Sequence, residues 1–395
     1  MSERVLQLGV IGLGRAFTLM LPTFAGDKRV RLVAAADPRP EARAQFTSDF
    51  GPAYATAEEL CADPSVEAIY ISSPHQMHAE HVRVAAKAGK HVLVEKPIAI
   101  TLEDCHSMID AARAAGVHLI VGHSHSFNRP ILRLREIIDS GEVGDVRMIT
   151  TLNYTDFLYR PRRPEELDTA RGGGVIFSQG AHQIDILRMI GGGKVKTVTA
   201  GTGSWDPERP TEGAYTALLH FENGAFASGV YSGYGHFDSD ELTEWIGELG
   251  NKKDQSRYGA TRKALAAVTD PQAEAALKNA RTYGGPAYTP SPPAAGLQHQ
   301  HFGFLVASCE RADLRPLPSG IMIYGDETQR FEPLPAPTVP RSEVIDELYD
   351  AVVNGKPPVH TGEWARATLE VCLAVLQSAR DGEQIALTHQ VGLAG

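Results

Sequence analysis

The chain has 395 residues, 43% of them hydrophobic and 22% charged, with a formal net charge of −10. That length exceeds what a single hydrophobic core supports, so two domains are expected, and the balance of residues is that of a globular protein. An acidic chain lacks the concentrated Lys and Arg that nucleic acid or an anionic membrane requires, so neither is expected as a partner.

No run approaches the roughly 20 apolar residues of a spanning helix, and the start MSERVLQLGVIGLG has no signal-peptide pattern, so the expected location is cytoplasmic. Cys61, Cys105, Cys309 and Cys372 lie far apart without CxxC spacing, which disfavours a zinc ribbon or a disulfide scaffold.

The first 122 residues alternate short apolar runs with amphipathic stretches, as a parallel sheet covered by helices requires. Strands are predicted at Leu8 to Ile11, Arg31 to Ala36, Ala68 to Ser72, His91 to Val94 and His118 to Val121. Helices are predicted at Arg15 to Phe24, Arg39 to Phe50, Ala57 to Ala62, Met77 to Ala88 and Leu102 to Ala115. Gly12 and Gly14 fall between the first strand and the first helix, where a tight turn lets backbone approach a pyrophosphate at the helix N-terminus. Phe17 stands where the GxGxxG fingerprint has its third small residue.

Asp37 follows the second strand 23 positions after Gly14, close to the roughly 20 expected of an acid that binds an adenosine ribose. Gly12, Gly14, Arg15, Ala16 and Asp37 are therefore candidate cofactor residues. Asp37 favours NAD over NADP, while Arg39 and Arg43 nearby keep NADP open. The strand His91 to Val94 runs into Glu95-Lys96-Pro97, which places a lysine at the carboxyl end of a parallel strand, suited to proton transfer with a substrate hydroxyl.

After Pro130 the pattern becomes one helix, Ile131 to Ser140, followed by β-rich stretches at Val146 to Tyr154, Lys196 to Thr202, Tyr215 to Phe221 and Phe226 to Tyr231. Asn223-Gly224 signals a hairpin between the last two. The expected domains are 1–125, binding the dinucleotide, and 126–395, an α+β substrate-binding and oligomerisation domain. A basic insertion at about 251–296 reads as a solvated surface segment, with a lid over an anionic ligand as the alternative. Three arginines, Arg160, Arg162 and Arg163, fall in a loop after Val146 to Tyr154 and suit an anionic substrate. A helix is predicted at Gly362 to Arg380.

Three ordered segments, Ser73-Pro74-His75-Gln76-Met77-His78, Glu95-Lys96-Pro97 and Gly172 to Asp185, resemble the glucose-fructose oxidoreductase, inositol dehydrogenase and MocA (Gfo/Idh/MocA) family over nearly the whole chain. The resemblance implies an α/β protein, with an N-terminal Rossmann doubly wound parallel sheet and a C-terminal α+β domain built on a largely antiparallel, open-faced sheet. It implies a homo-oligomer, dimer or tetramer, through that sheet. It places Lys96 by the nicotinamide and substrate, adds Ser73, Pro74, His78 and Glu95 to the cofactor site, and makes His182 the partner acid or base.

The chain departs from the family at Ser178, where an acid is common, so Ser178 and Gln179 are expected to make polar contacts only. It departs again at Ser126, where sugar-oxidising relatives carry arginine, so a standard sugar pocket is not expected. His75, His78, His123, His125, His299 and His301 lack carboxylate or thiol neighbours at ligand spacing, and no metal is expected.

The segment Gly122 to Asn128, the arginine loop, His301-Phe302-Gly303 and Ser308 to Arg315 are similar to the phthalate cis-4,5-dihydrodiol dehydrogenase branch of the family. That implies NAD-dependent oxidation of a carboxylated cis-dihydrodiol to 4,5-dihydroxyphthalate, with His125, Tyr159, Arg160, Arg162, Arg163, Ser178, Gln179 and His182 toward the substrate. The alternatives are a family dehydrogenase acting on a sugar, inositol or sugar acid, and a non-catalytic NAD-binding regulator.

Overall fold

The computed structural model describes residues 4–268, 270–290 and 296–393. The chain divides into two compact units. One is Met1–His123 with Ala275–Pro293 and Val339–Arg366; the other is Ser124–Glu274 with Ala294–Thr338 and Ala367–Gly395.

The first unit runs β1 (Leu6–Ile11), α1 (Arg15–Gly26), β2 (Val30–Ala36), α2 (Pro40–Asp49), β3 (Ala53–Tyr54), α3 (Ala57–Cys61), β4 (Ala68–Ile71), α4 (His78–Lys87), β5 (His91–Val94), α5 (Leu102–Ala115) and β6 (Leu119–Val121). The six strands pair in parallel in the order β3-β2-β1-β4-β5-β6. Such a sheet is covered on both faces, which is why its strands read as unbroken apolar runs: Leu8, Val10, Ile69, Ile71, Val92 and Val94 are buried completely. The strand order reverses between β1 and β4, and the carboxyl ends there are where an open α/β sheet binds its ligand. α5 begins where Thr101 accepts from the Asp104 amide at 3.1 Å and ends at Gly116, in the left-handed region at φ 66°.

A single boundary near residue 125 does not describe this unit, because two later segments complete its core. Tyr283 is fully buried, 5.2 Å edge-on from Phe17, and its hydroxyl donates to Asp49 at 2.5 Å. Phe17 thus fills the third position of the fingerprint as a packing residue. Arg39 donates to the Thr282 hydroxyl at 3.0 Å, the Thr23 hydroxyl to the Pro340 carbonyl at 2.7 Å, and the Val121 amide to the His360 carbonyl at 2.9 Å. The solvated-insertion reading therefore fails for residues 280–288, whose aromatic side chains pack instead of facing water.

The second unit contains α6 (Arg129–Asp139), β7 (Val146–Tyr154), α7 (Ala181–Gly191), β8 (Val195–Gly203), β9 (Ala214–Phe221), β10 (Phe226–Ser232) and α8 (Ala260–Leu265). α9 (Pro271–Ala280) begins here but from Ala275 belongs to the first unit; β11 (Phe304–Cys309), β12 (Ala312–Leu317), β13 (Gly320–Gly325) and β14 (Gln329–Pro333) then follow in the second. α10 (Ser342–Val353) belongs to the first unit, α11 (Gly362–Asp381) ends in the second, and β15 (Ile385–Ala386) closes the list of strands.

Its nine-stranded sheet has the order β14-β13-β12-β11-β7-β10-β9-β8-β15, antiparallel except where β7 and β10 pair in parallel. Gly224, at φ 89°, makes the predicted hairpin between β9 and β10. α7 covers one face: the Gln183 amide donates to the Val230 carbonyl at 3.1 Å and accepts from the Tyr215 hydroxyl at 2.5 Å. Met148, Leu218, Phe226 and Tyr324 are exposed on the other, the open face expected of this domain. Strands β11 to β14 and helix α10 lie beyond the elements predicted above.

Arg188 on α7 is fully buried and donates to the Thr368 hydroxyl at 2.7 Å, the Gly193 carbonyl at 3.0 Å and the Val391 carbonyl at 3.1 Å. One turn earlier Asp185 accepts from Thr368 at 2.8 Å and from Ser126. Among the described residues no helix is long and apolar enough to cross a membrane.

Candidate active site

The glycine turn is built around Gly12, whose φ of 89° suits glycine alone. A Cβ there would lie 2.9 Å from the Ser73 amide nitrogen and 3.0 Å from the Ser72 carbonyl. Gly14 is the N-cap of α1 and supplies no side chain to its first amides, while the Ser72 carbonyl is the nearest atom to a Cβ on it, at 4.0 Å. A helix start left open in this way is a cradle for an anion. Arg15 is exposed at the first helical position and Ala16 is half-buried beside it.

Asp37 is 5% exposed and accepts from the Leu13 amide at 2.7 Å and from the Arg39 amide at 2.9 Å. Arg39 pairs with the same carboxylate at 3.0 Å and donates to the Leu13 carbonyl at 2.9 Å. Asp37 is therefore also the clasp of the glycine turn, and the charge of Arg39 is spent on it. Arg43 donates to the Asp37 and Pro38 carbonyls at 2.8 Å.

On the neighbouring strand ends, the Ser73 hydroxyl lies 2.9 Å from His81, and Pro74 is exposed. His78 is completely buried, one ring nitrogen 3.0 Å from the Ser73 carbonyl and the other 3.0 Å from the Pro97 carbonyl. Burial pushes its pKa down to about 4 against the pull of those carbonyls. Its ring joins the Ser73 turn to the Glu95-Lys96-Pro97 turn, so any effect on a cofactor runs through those two. Glu95 accepts from the Tyr70 hydroxyl at 2.6 Å; burial raises its pKa, and that bond and the Lys96 charge pull it back. Lys96 itself is half-buried at the end of β5.

In the second unit the residues Ile176–Gly180 form one π-helical turn that feeds α7, a departure from α geometry common where a side chain must be re-aimed. His182 follows in the first turn of α7 and is 6% exposed. Its ring lies 4.7 Å from His125, near perpendicular, and 5.2 Å from Phe302. His125 is 1% exposed, with one ring nitrogen 2.8 Å from the Asn128 amide nitrogen and the other 3.3 Å from Glu248. The Ser178 hydroxyl turns back to the Gly174 carbonyl, and the Gln179 amide donates to the Ser178 carbonyl at 3.2 Å.

The three loop arginines separate. Arg162 lies 3.6 Å over the Phe157 ring and donates to the Phe157 carbonyl at 2.7 Å; burial pushes its pKa down to about 10. The Arg163 amide donates to Glu166 at 2.8 Å, capping a short turn. Arg160 keeps 43% of its side chain exposed and pairs with Asp156 at 3.1 Å. Burial opposes its charge, but the carboxylates of Asp156 and Glu248 outweigh that and hold its pKa above the ordinary value. Arg160 is thus the arginine whose field joins the histidine cluster. Tyr159 lies beneath Arg262, 3.6 Å from the ring centre, so α8 is docked rather than free. Glu248 and Phe302 were not among the predicted site residues.

Two family models match the chain: an oxidoreductase family with an NAD-binding Rossmann fold over residues 6–123, and the GFO/IDH/MocA C-terminal domain over 131–251. A 1-carboxy-3-chloro-3,4-dihydroxycyclohexa-1,5-diene dehydrogenase from Comamonas testosteroni is 51% identical across 95% of both chains. The chain belongs to the Gfo/Idh/MocA oxidoreductase family. Another member, the myo-inositol 2-dehydrogenase of Thermotoga maritima, is 30% identical over 62% of this chain and 74% of its own. A solved structure from Bordetella bronchiseptica RB50, assigned as a dehydrogenase, superposes with a TM-score of 0.91 at 43% identity, covering 97% of this chain and all of that one.

As a Gfo/Idh/MocA protein the chain is an oxidoreductase whose cofactor is NAD. The glycine turn fits that group: Gly12 and Gly14 give a pyrophosphate access to open amides at the start of α1. Gly12→Ala is expected to cost about 1–3 kcal/mol in backbone strain. It should also abolish the thermal stabilisation that saturating NAD gives the parent protein, measured as melting curves with and without NAD.

Proposed function

We propose that the protein oxidises a carboxylated cis-dihydrodiol with NAD, in its most specific form phthalate cis-4,5-dihydrodiol to 4,5-dihydroxyphthalate. The observation that carries this reading is Arg160, whose side chain keeps 43% of its surface exposed and whose charge acts on Glu248, the carboxylate beside His125. A planar, permanently charged donor of that kind suits a substrate carboxylate better than a neutral polyol. The Comamonas relative, named for a carboxylated dihydroxycyclohexadiene, supports the same substrate class.

Bound NAD supplies the hydride acceptor. Lys96 is assigned removal of the proton from the reacting hydroxyl, His182 the binding of the diol, and Arg160 the holding of the carboxylate. Once one carbinol is a ketone, tautomerisation of the ring to a catechol gains aromaticity and draws the oxidation forward.

NADH absorbance on mixing enzyme, NAD and candidate alcohols tests the reading. The carboxylated dihydrodiol should be oxidised with kcat/KM about 30- to 150-fold above its uncarboxylated counterpart, the worth of one charge-assisted hydrogen-bonded pair of roughly 2–3 kcal/mol. Arg160→Ala should remove that preference chiefly through KM. NADH from myo-inositol and none from either dihydrodiol overturns the assignment.

A further inference from the structure

The loop that carries Glu248 is built to hold it still. Glu244 and Trp245 both lie in the left-handed region, at φ 59° and 61°, a conformation costly for residues with a Cβ. Ile246 bridges Lys252, the Lys253 amide donates to the Trp245 carbonyl at 2.8 Å, and the Gly247 amide donates to the Asn251 carbonyl at 2.8 Å. The Lys253 ammonium pairs with Asp238 at 2.7 Å and with the buried Asp240. The Gln298 amide donates to the Gly250 carbonyl at 2.9 Å. Strain persists where its surroundings over-determine it, and here the fixed object is a carboxylate 3.3 Å from His125.

We propose that Glu248 is a positioning residue: it fixes the tautomer of His125, the ring packed against the diol-binding His182, and as that ring's counter-ion it sets the pH at which His125 protonates. The inference rests on the reading that this cluster handles the substrate's diol. Asn128 presents its amide nitrogen to His125 Nδ1, so that nitrogen accepts and Nε2 carries the proton toward Glu248. Oxidation of a carbinol breaks one C–H and one O–H bond; the hydride with its electron pair goes to NAD and the proton to Lys96, which leaves the histidine pair to hold the diol. His125 and His182 are 1% and 6% exposed, whereas the Glu248 side chain is 28% exposed, so Glu248 is the solvent-side end of the cluster.

Among the described residues, the charged and titratable groups around the cluster include Asp185 on α7, Arg160 and Asp156 after β7, Tyr231 on β10, and His301 with Asp240 ahead of β11. A carboxylate favours the charged form of a neighbouring imidazole, so removing its charge lowers the pH at which that imidazole protonates. Glu248→Gln keeps the shape and removes the charge.

With the holoenzyme, E248Q should lower kcat about tenfold or more, leave KM for NAD within twofold, and move the acidic limb of the kcat profile to lower pH; E248D should recover part of the rate. An acidic limb that does not move overturns the proposal, whatever happens to kcat. ¹⁵N-histidine NMR of the substrate-free protein decides the same point without turnover: the His125 ring should titrate at lower pH in E248Q than in the parent, and an unchanged titration overturns it. A parent enzyme that forms no NADH from the dihydrodiol sinks the substrate reading alone, since the NMR comparison still decides the role of Glu248.

Discussion

Lys96→Ala is expected to lower kcat by about 10²–10⁴-fold, the usual contribution of a positioned acid or base, while the affinity for NAD changes little. The reason is local. Lys96 follows β5 by two residues, beside a glutamate anchored by Tyr70, and the glycine turn that receives the dinucleotide is made by other residues. Lys96→Arg separates charge from proton transfer: arginine keeps the positive charge but holds its proton at any working pH. Stopped-flow hydride transfer and NAD titration on both variants check this. A K96R enzyme close to parental turnover would sink the proton-transfer assignment and leave only an electrostatic one.

The second large effect is on stability. Arg188→Ala removes a fully buried guanidinium and strips the Gly193 and Val391 carbonyls and the Thr368 hydroxyl of their donor. Breaking a buried charged network from one side costs about 3–5 kcal/mol. Denaturant melts followed by circular dichroism should report a loss of that size. Arg188→Met, similar in length but apolar, should recover little, because the carbonyls stay unmet. A loss under about 1 kcal/mol in R188A would mean that the segment around Val391 and α7 are held by packing alone.

Much of the first unit was legible because its requirements are local. The strand His91 to Val94 and the helix Leu102 to Ala115 fall on the predicted residues, set by an apolar run, a threonine cap and a terminal glycine. Gly12 is readable for the same reason, since the turn admits only glycine. What could not be read depends on distant partners. Whether an arginine in the loop faces outward or folds onto Phe157 is decided by tertiary packing, so Arg160 and Arg162 look alike in sequence. Glu248 sits in a short Gly-Glu-Leu-Gly stretch, 123 residues from the histidine it meets, with no local signal of that partnership. Strands β12 and β14 break up their apolar residues with charges such as Asp313, Arg315, Arg330 and Glu332, which hid them from a reading based on unbroken hydrophobic runs.

The return of residues 275–293 and 339–366 to the first unit bears on how the molecule is made. When the ribosome has extruded the six parallel strands, Phe17 has no Tyr283 to pack on, Arg39 lacks Thr282, and the edge strand β6 lacks the amide-bonded carbonyl of His360. The nucleotide-binding unit is therefore finished only when residues up to Arg366 have emerged. Its maturation is tied to the synthesis of the second unit instead of preceding it, and NAD meets a fully packed Rossmann core only after that point.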